Sequence, residues 1–401
     1  MVDDDALAAL SARDAARLIA AGDITSEELA SMCLARLATR HGETFPQLDP
    51  ERVLAHARSA DERRRSGLPL APLHGVPVAI TAALDAAVPA ADGNHAATSG
   101  AVRASAPVAV LRAAGAVIIG SASNTASAAA AVSEGIVPAA LGLETAGSLI
   151  TSASRAGCFG FKPSFGLVPR SDVRLVAPSL DTIGVLARTV DDLAAVTDAI
   201  QAYDSRDVAT ASRFRPPLLA TATMDWPLVP RFAFAPARGW AVEDSSLREA
   251  FDELIMALGQ DVMTIEIEAL FAHADAAADT VERFEHARHR GTSDSAAVTG
   301  RQISVEDYAR GLGARDELLA VFGGVFADHG TILTHAAPIT SAPTVGEPAR
   351  LWSYLGLPVV SVPLLECDGK PVGVLLVGAS GDDGRLLRTS RLLSENISRL
   401  S

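Results

Sequence analysis

Apolar residues follow two different spacings along the chain, and together they predict a mixed α/β fold. Up to residue 65 the apolar positions recur as in amphipathic helices, and Thr25 with Glu28 has the pattern of a capping box. Further on, short runs rich in Val, Ile and Leu are typical of buried strands. These runs cover residues 74–80, 115–120, 331–334, 358–365 and 372–377.

Several longer segments have helical spacing between and after these runs. Helices are predicted over residues 108–114, 189–200 and 384–400, and over most of residues 244–325. No internal repeat or low-complexity linker divides the 401 residues. Since α/β enzymes of this size often form one domain, we expect a single domain over residues 1–401.

The composition supports a large buried core and argues against some classes of partner. Hydrophobic residues make up 49% of the chain, whereas aromatic residues make up only 4%, so stacking surfaces for bases are scarce. The net charge of −14 disfavours nucleic acids and anionic membranes, because both attract clustered Lys and Arg. The sequence has neither a signal-peptide pattern nor an apolar run of about 18 residues, which predicts a cytoplasmic protein.

Metal-binding patterns are not recognisable in the sequence. The three cysteines are Cys33, Cys158 and Cys367. They are far apart and show no ligand spacing, so neither a disulfide framework nor a zinc site is expected. One predicted helix carries four other candidate ligands, Glu282, Glu285, His286 and His289. Their spacing matches no known helical metal motif, so we interpret them as a solvated helix face and expect no metal or other cofactor.

Residues 141–148, with the sequence LGLETAGS, form the strongest candidate for a catalytic loop. Ala146 and Gly147 carry no side chain beyond a methyl group, so the backbone there can approach a bound carbonyl closely. Successive N–H groups from Thr145 to Ser148 can form an oxyanion hole, with Ser148 as the nucleophile. On local sequence alone, the alternative of a tight glycine turn with a capping serine is favoured.

The wider context of this loop resembles the amidase signature family. The matching segments occur in the family's order along nearly the whole chain, except at about 205–330. Besides the loop, they are residues 25–36, 73–77, 111–120, 157–163, 179–184, 188–192, 356–358, 361–363 and 371–373. The resemblance implies one α/β domain with a large twisted mixed sheet and helices on both faces. It also implies a variable, mostly helical substrate region at about 205–330 and a nucleophile at Ser148.

The proton relay of that family is missing from this sequence. The resemblance assigns the catalytic lysine position to Thr81, whose hydroxyl cannot act as a general base near neutral pH. The family's relay serine, which has a cis peptide bond, falls on Asn124, and an amide does not pass a proton as a hydroxyl does. The loop that usually follows Gly120 looks deleted. A shifted register would place Ser123 or Ser127 at the relay position instead.

Other positions around the loop also differ from the family. Glu144 stands where the family usually has Asp, and Ile150 stands where it usually has Arg. Ser152 and Arg155 replace apolar and proline positions in the following turn. Arg155 is therefore a candidate anchor for the carboxylate of a ligand.

Three residues are candidates for a substitute base, namely Asp85, His95 and Lys162. Lys162 is one of only two lysines and lies in the family's structural Gly-Phe-Lys-Pro segment, so its use as a base requires a different geometry. His74 is interpreted as a turn-stabilising residue. His335 has no role that the sequence explains.

Two classes of function remain open. The first is a homologue with impaired or lost Ser-Ser-Lys chemistry that binds a small amide or carboxylate or acts as a partner subunit, with a homodimer as one expectation. The second is an amidase that hydrolyses the C–N bond of a small carboxamide through Ser148 with a non-standard base. The missing lysine favours the first, and the retained Ser148 favours the second. A purely structural protein, the third alternative, predicts a filled pocket at Ser148.

Overall fold

The structure is a computed structural model that describes residues 6, 8–46, 48–85, 104–211, 214–226, 229–236, 245–289, 295–336 and 348–397. The described helices are α1 (Ala12–Ala21), α2 (Ser26–Arg40), α3 (Pro50–Arg65), α4 (Ala106–Ala113), α5 (Thr125–Ser133), α6 (Ser148–Ala156), α7 (Val190–Ile200), α8 (Leu218–Ala222), α9 (Ser245–Leu258), α10 (Glu268–His289), α11 (Ser295–Gly300), α12 (Val305–His329), α13 (Pro348–Tyr354) and α14 (Asp383–Ile397). The described strands are β1 (Pro77–Thr81), β2 (Val117–Ala122), β3 (Ala139–Glu144), β4 (Phe159–Lys162), β5 (Thr182–Ala187), β6 (Phe232–Phe234), β7 (Val262–Thr264), β8 (Thr331–His335), β9 (Val359–Cys367) and β10 (Lys370–Val377).

The ten described strands form one mixed sheet with the order β2-β1-β3-β5-β4-β9-β10-β8-β6-β7. Strand β1 pairs in parallel with β2 and β3, and β6 pairs in parallel with β7 and β8. The other neighbours are antiparallel. Helix α6 packs on β4, β9 and β10, while α7 packs on β5 and α14 packs on β9. The predicted α/β class, with a large mixed sheet covered by helices on both faces, is confirmed.

Local side-chain signals explain where several helices begin. The N–H of Glu28 donates to the Thr25 hydroxyl at 3.1 Å, and the N–H of Thr25 donates to the Glu28 carboxylate at 2.8 Å. The predicted capping box at the start of α2 is therefore confirmed. Thr189 caps α7 in a similar way, by accepting from the N–H of Asp192 at 3.0 Å.

The sequence pattern does not reveal β3, β4 and β5 as strands, because each contains a glycine where α6 packs on the sheet. A Cβ atom added at Gly142 or Gly184 would lie 2.9 Å from Cδ1 of Leu149. One added at Gly160 would lie 2.5 Å from the Cβ atom of Ala153. The glycines therefore allow α6 to approach the sheet closely, and they also make these strands resemble loops in the sequence.

The segment predicted to be mostly helical, residues 244–325, contains α9, α10, α11 and most of α12 among its described residues. Helix α10 packs against α11, α12 and α13. This arrangement places the helical segment against α13, which contacts the Ser148 loop. Across the part of the chain that the structure describes, no helix is both long enough and apolar enough to span a membrane.

Candidate functional site

The candidate site lies at the edge of the sheet where the parallel strands β1, β2 and β3 end. Their last residues are Thr81, Ala122 and Glu144, and the helices that follow β2 and β3 begin at Thr125 and Ser148. Parallel neighbouring strands end at the same edge of a sheet, so these positions come together there.

Gly142, near the end of β3, shows how close these elements are. A Cβ atom added at Gly142 would lie 3.2 Å from the methyl carbon of Thr125 and 3.4 Å from that of Thr81. The same point is next to Leu149 in the first turn of α6. The sheet therefore gathers Thr81, the start of α5 and the start of α6 in one place.

The turn that carries Ser148 has an unusual backbone. Ala146 has φ 52° and Gly147 has φ 94°, so two successive residues adopt left-handed conformations. This conformation is uncommon for alanine and costs on the order of 1 kcal/mol, so surrounding contacts must maintain it. Glycine is required at the next position, because an added Cβ would lie 2.6 Å from the Cβ atom of Ala349. The turn exposes Ser148 as the first residue of α6.

Glu144 organises this turn from the buried side. Its carboxylate accepts hydrogen bonds from the N–H groups of Gly147, Leu149 (2.6 Å) and Ile150 (3.2 Å). The Ser353 hydroxyl donates a further bond at 2.8 Å. Burial raises the pKa of Glu144, while the bond from Ser353 and the charge of Lys162 oppose this shift. Glu144 therefore caps the N-terminus of α6 and holds the turn in shape.

This role of Glu144 changes the predicted oxyanion hole. The Gly147 N–H is bonded to Glu144, and the Ser148 N–H donates to the carbonyl oxygen of Thr145 at 3.1 Å. The Thr145 N–H lies 3.5 Å from Ser148 Oγ. Among the described residues the Ala146 N–H has no acceptor. Of the four expected N–H donors, those of Gly147 and Ser148 are therefore used by Glu144 and the turn itself, and that of Thr145 makes a long contact with Ser148 Oγ.

Thr81 and Asn124 do not form a proton relay in the described structure. Thr81 is 3% exposed, and its hydroxyl has no hydrogen-bond partner among the described residues. Asn124 is the N-cap of α5, where its side-chain oxygen accepts bonds from the N–H (2.9 Å) and the hydroxyl (3.1 Å) of Ser127. Ser123 donates its hydroxyl to the carbonyl oxygen of Thr44 at 3.1 Å. Asn124, Ser123 and Ser127 are therefore all engaged in local structure.

The sequence analysis missed a hydroxyl pair beside Ser148. Ser152 donates its hydroxyl to the carbonyl oxygen of Ser148 at 2.7 Å, and it lies 3.2 Å from the Thr125 hydroxyl. The spacing of Ser148 and Ser152, four residues apart on a helix, indicates this bond in retrospect. The link to Thr125 depends on how α5 and α6 pack, which no local pattern shows.

Asp181 is a second residue that the sequence analysis did not assign to the site. Its carboxylate accepts a bond from the Thr145 hydroxyl at 2.5 Å and bonds from the N–H groups of Val176 and Ala177. Burial raises the pKa of Asp181 to about 7, although these three hydrogen bonds oppose the shift. Asp181 therefore braces the Ser148 turn from the segment between β4 and β5.

We expect Asp181 to make stability pH-dependent near neutral pH. Because its folded pKa of about 7 lies above the ordinary value of 3.8, its contribution is fully present below about pH 4 and is lost as the pH rises to 7. The free energy of unfolding of the Asp181→Asn variant, relative to that of the unmodified protein, should therefore increase by about 1–3 kcal/mol between pH 5 and pH 8. Urea unfolding of both proteins at these two pH values measures this change. An equal dependence on pH in both proteins would contradict it.

Two of the three candidate substitute bases, Asp85 and Lys162, make hydrogen bonds to groups other than Ser148. Asp85 accepts a hydrogen bond from the Ser121 hydroxyl at 2.6 Å. Lys162 is fully buried, and its ammonium group donates to the carbonyl oxygen of Leu357. His95 lies outside the described residues.

His74 and His335 are both buried. Nε2 of His74 lies 2.9 Å from the carbonyl oxygen of Ala60, a contact expected of a turn-stabilising residue. His335 packs edge-to-face on Phe251, and burial lowers its pKa to about 4.

The structure does not bring Arg155 to the Ser148 turn. Arg155 is exposed in the last turn of α6, whereas Ser148 begins that helix. Seven residues of α-helix separate the two positions by about 10 Å along the axis. The role of Arg155 as a carboxylate anchor stays a prediction, and its position lies about two helical turns from Ser148.

The four residues interpreted as a solvated face of α10 differ in exposure: His289 is exposed, Glu282 and His286 are half-buried, and Glu285 is buried. Glu285 is 8% exposed and accepts a bond from the Tyr308 hydroxyl at 2.7 Å. Glu282 pairs with Arg350 at 2.8 Å. Among the described residues, no group of three or more His, Cys, Asp or Glu side chains is placed to hold a metal ion. All three cysteines are buried thiols that form no disulfide bond with one another.

Comparisons with known proteins agree with this fold. The protein-family model called Amidase matches residues 126–284. A glutamyl-tRNA(Gln) amidotransferase subunit from Chloroflexus aggregans is 30% identical over 454 aligned positions, which cover 92% of this chain and 93% of the relative. The protein of the same name from Symbiobacterium thermophilum is 26% identical, with 94% and 95% covered.

Solved structures show the same architecture at lower sequence identity. A chain from a vestigial protein complex, connected with the origins of an s-triazine catabolic enzyme, matches with a TM-score of 0.85 at 24% identity, covering 96% of this chain and 98% of the other. Peptide amidase from Stenotrophomonas maltophilia matches with a TM-score of 0.82 at 22% identity, covering 97% of each chain. The near-complete match to the Chloroflexus relative shows that the chain belongs to the amidase signature family.

Proposed function

We propose that this chain is an amidase signature protein whose Ser-Ser-Lys chemistry is impaired or lost. In this proposal the Ser148 turn binds a small amide or carboxylate, or the chain acts as a partner subunit. The observation that carries the proposal is the side chain at the end of β1. Thr81 is buried there with an unpartnered hydroxyl, and a hydroxyl does not take a proton from Ser148 near neutral pH.

The contacts of the neighbouring residues support the same proposal. The side-chain oxygen of Asn124 caps α5 and accepts two bonds from Ser127. The ammonium group of Lys162 is buried and bonded to a backbone carbonyl group. Removing one member of a catalytic triad lowers the rate by about 10⁴-fold or more, so loss of base and relay together makes the ordinary mechanism very slow.

The proposal includes a ligand with a carbonyl or carboxylate oxygen and a protein partner. The Ala146 N–H has no acceptor among the described residues, so a carbonyl or carboxylate oxygen of a ligand can accept from it. Two relatives are named as one subunit of an amidotransferase, which supports a role in an assembly, either with another protein or as a homodimer. A cytoplasmic location remains a prediction from the sequence.

Labelling with a fluorophosphonate tests whether Ser148 is activated. We expect less than about a tenth of the purified, folded protein to carry an adduct under conditions that label an active serine hydrolase fully, because no base deprotonates Ser148. Intact-mass spectrometry measures the adduct, and the Ser148→Ala variant provides the matched control. A stoichiometric adduct that disappears in Ser148→Ala would overturn the proposal.

That same outcome would support a second function, an amidase with a non-standard base. The retained geometry of the nucleophile turn favours it, since Ser148 is exposed at the start of α6 and Thr145 directs its N–H towards Ser148 Oγ. In that case turnover of a panel of small carboxamides should disappear in Ser148→Ala. The base would then be sought with the variants Asp85→Asn, His95→Gln and Lys162→Met.

A further inference from the structure

One face of α10 carries four carboxylates, and this helix packs against α13. They are Asp275, Asp279, Glu282 and Glu285. Their separations of four, three and three residues place them on the same side of an α-helix. Glu285 accepts bonds from the N–H of Ser179 at 2.9 Å and from the Tyr308 hydroxyl at 2.7 Å. The other three meet a single arginine on α13.

That arginine is Arg350, whose side chain is 12% exposed. Its guanidinium group lies 2.8 Å from Asp279, 2.8 Å from Glu282 and 3.6 Å from Asp275. Burial alone lowers the pKa of Arg350, but the surrounding carboxylates raise it overall, led by Glu282. Ion pairs with this little solvent exposure are screened weakly and hold their geometry better than surface pairs do.

Helix α13 contacts the Ser148 turn at two points on either side of Arg350 in the sequence. Ala349 packs against Gly147, where an added Cβ would lie 2.6 Å from the Ala349 Cβ atom and 3.2 Å from the Arg350 backbone nitrogen. Ser353 donates its hydroxyl to Glu144 at 2.8 Å, and Glu144 in turn accepts the Gly147 N–H. Displacement of α13 therefore removes support from both sides of the turn.

We infer that Arg350 is a positioning residue for the Ser148 turn. Its ion pairs with α10 fix α13, and α13 fixes Gly147 and Glu144. Helix α10 thereby sets the geometry of the residues that bind ligand. This inference deepens the proposed function and rests on it only in taking the Ser148 turn as the ligand site.

Hydrogen–deuterium exchange in the Arg350→Gln variant tests this inference. Without the ion pairs, we expect amide exchange in residues 144–151 to become about tenfold faster, while exchange in β5 changes much less. Mass spectrometry of peptides from these two segments measures both rates. The matched control is Arg283→Gln, which removes a 2.8 Å ion pair to the same Asp279 from within α10 itself. This control should leave exchange in residues 144–151 within about twofold of the unmodified protein.

Two results would overturn the inference. One is unchanged exchange in residues 144–151 of Arg350→Gln. The other is an equal increase in Arg350→Gln and Arg283→Gln, which would indicate general loosening of α10. If Arg350→Gln does not fold, Glu282→Gln removes a single partner of Arg350 and should give a smaller increase confined to residues 144–151. An increase spread equally over β5 would count against the inference.

The exchange measurement uses neither a ligand nor a reaction of Ser148. A failure of the inference is therefore distinguishable from a failure of the proposed function. The fluorophosphonate experiment tests the proposed function, and its result does not depend on the role of Arg350.

Discussion

Replacing Thr81 with lysine is expected to increase the reactivity of Ser148 by about 100-fold or more, because a positioned general base typically contributes 10²–10⁴-fold. Thr81 ends β1 beside the first turns of α5 and α6, so a lysine amine there would lie in the same region as Ser148. Its burial would also lower the pKa of the amine and favour the neutral, basic form. The rate of fluorophosphonate labelling measures the effect, and turnover of small carboxamides provides a second measurement.

Two controls separate the effect of the base from that of side-chain size. Thr81→Met adds a side chain of similar length without an amine, and it should not increase labelling. Thr81→Lys combined with Ser148→Ala should abolish any gain, since the nucleophile is then absent. Adding Asn124→Ser to Thr81→Lys supplies a relay hydroxyl and should increase the rate further. If a folded Thr81→Lys protein labels no faster than the unmodified chain, the missing lysine does not explain the impaired chemistry.

Replacing Glu144 with alanine is expected to lower the free energy of unfolding by about 3–5 kcal/mol. The change would leave three backbone N–H groups, those of Gly147, Leu149 and Ile150, without their acceptor at a buried helix end. It would also remove the acceptor for the Ser353 hydroxyl. Each unsatisfied buried donor costs about 1–3 kcal/mol, although water entering the cavity offsets part of this loss. Urea unfolding monitored by circular dichroism measures the difference.

Ser353→Ala is the matched variant for this prediction. It removes one of the four hydrogen bonds to Glu144 and leaves the backbone donors satisfied, so we expect a loss of only about 1 kcal/mol. If Glu144→Ala costs no more than Ser353→Ala, Glu144 does not organise the turn as its contacts indicate.

The contacts that hold the Ser148 turn are separate from the positions at which a proton relay would stand. The turn depends on Glu144, Asp181 and α13, all of which have their contacts in the described structure. A relay would depend on the residues at the ends of β1 and β2, where Thr81 and Asn124 stand. The contacts of Glu144, Asp181 and α13 with the turn involve neither Thr81 nor Asn124, so the order of the turn does not depend on a relay at those two positions.

Local sequence was sufficient to predict the features that neighbouring residues determine. The capping box of Thr25 and Glu28 forms within one helical turn, so its residues identify it without knowledge of the fold. The backbone freedom of Gly147 was predictable for the same reason. The absence of an amine at position 81 is a property of the side chain itself, so the prediction of impaired chemistry needed no tertiary structure.

The resemblance to a family supplied what local patterns did not. Strands β3, β4 and β5 contain glycines that hide them from a hydrophobic pattern, whereas the ordered motifs around Ser148 indicated a mixed sheet. The resemblance also placed Asn124 at the relay position by counting residues. Its contacts show a helix cap there, and the hydroxyl that approaches α6 belongs to Thr125, which lies 3.2 Å from the Ser152 hydroxyl.

Only the tertiary structure decided which residues support the turn and which do not. Asp181 and Ser353 lie 36 and 209 residues from the turn residues that they contact, so no sequence pattern joins them. Arg155 is near Ser148 in sequence, yet it lies at the other end of α6. The sequence by itself determined the chemistry of each side chain and the local turns. The packing of helices on the sheet decided which of these groups meet, because such contacts depend on the positions of whole elements rather than on neighbouring residues.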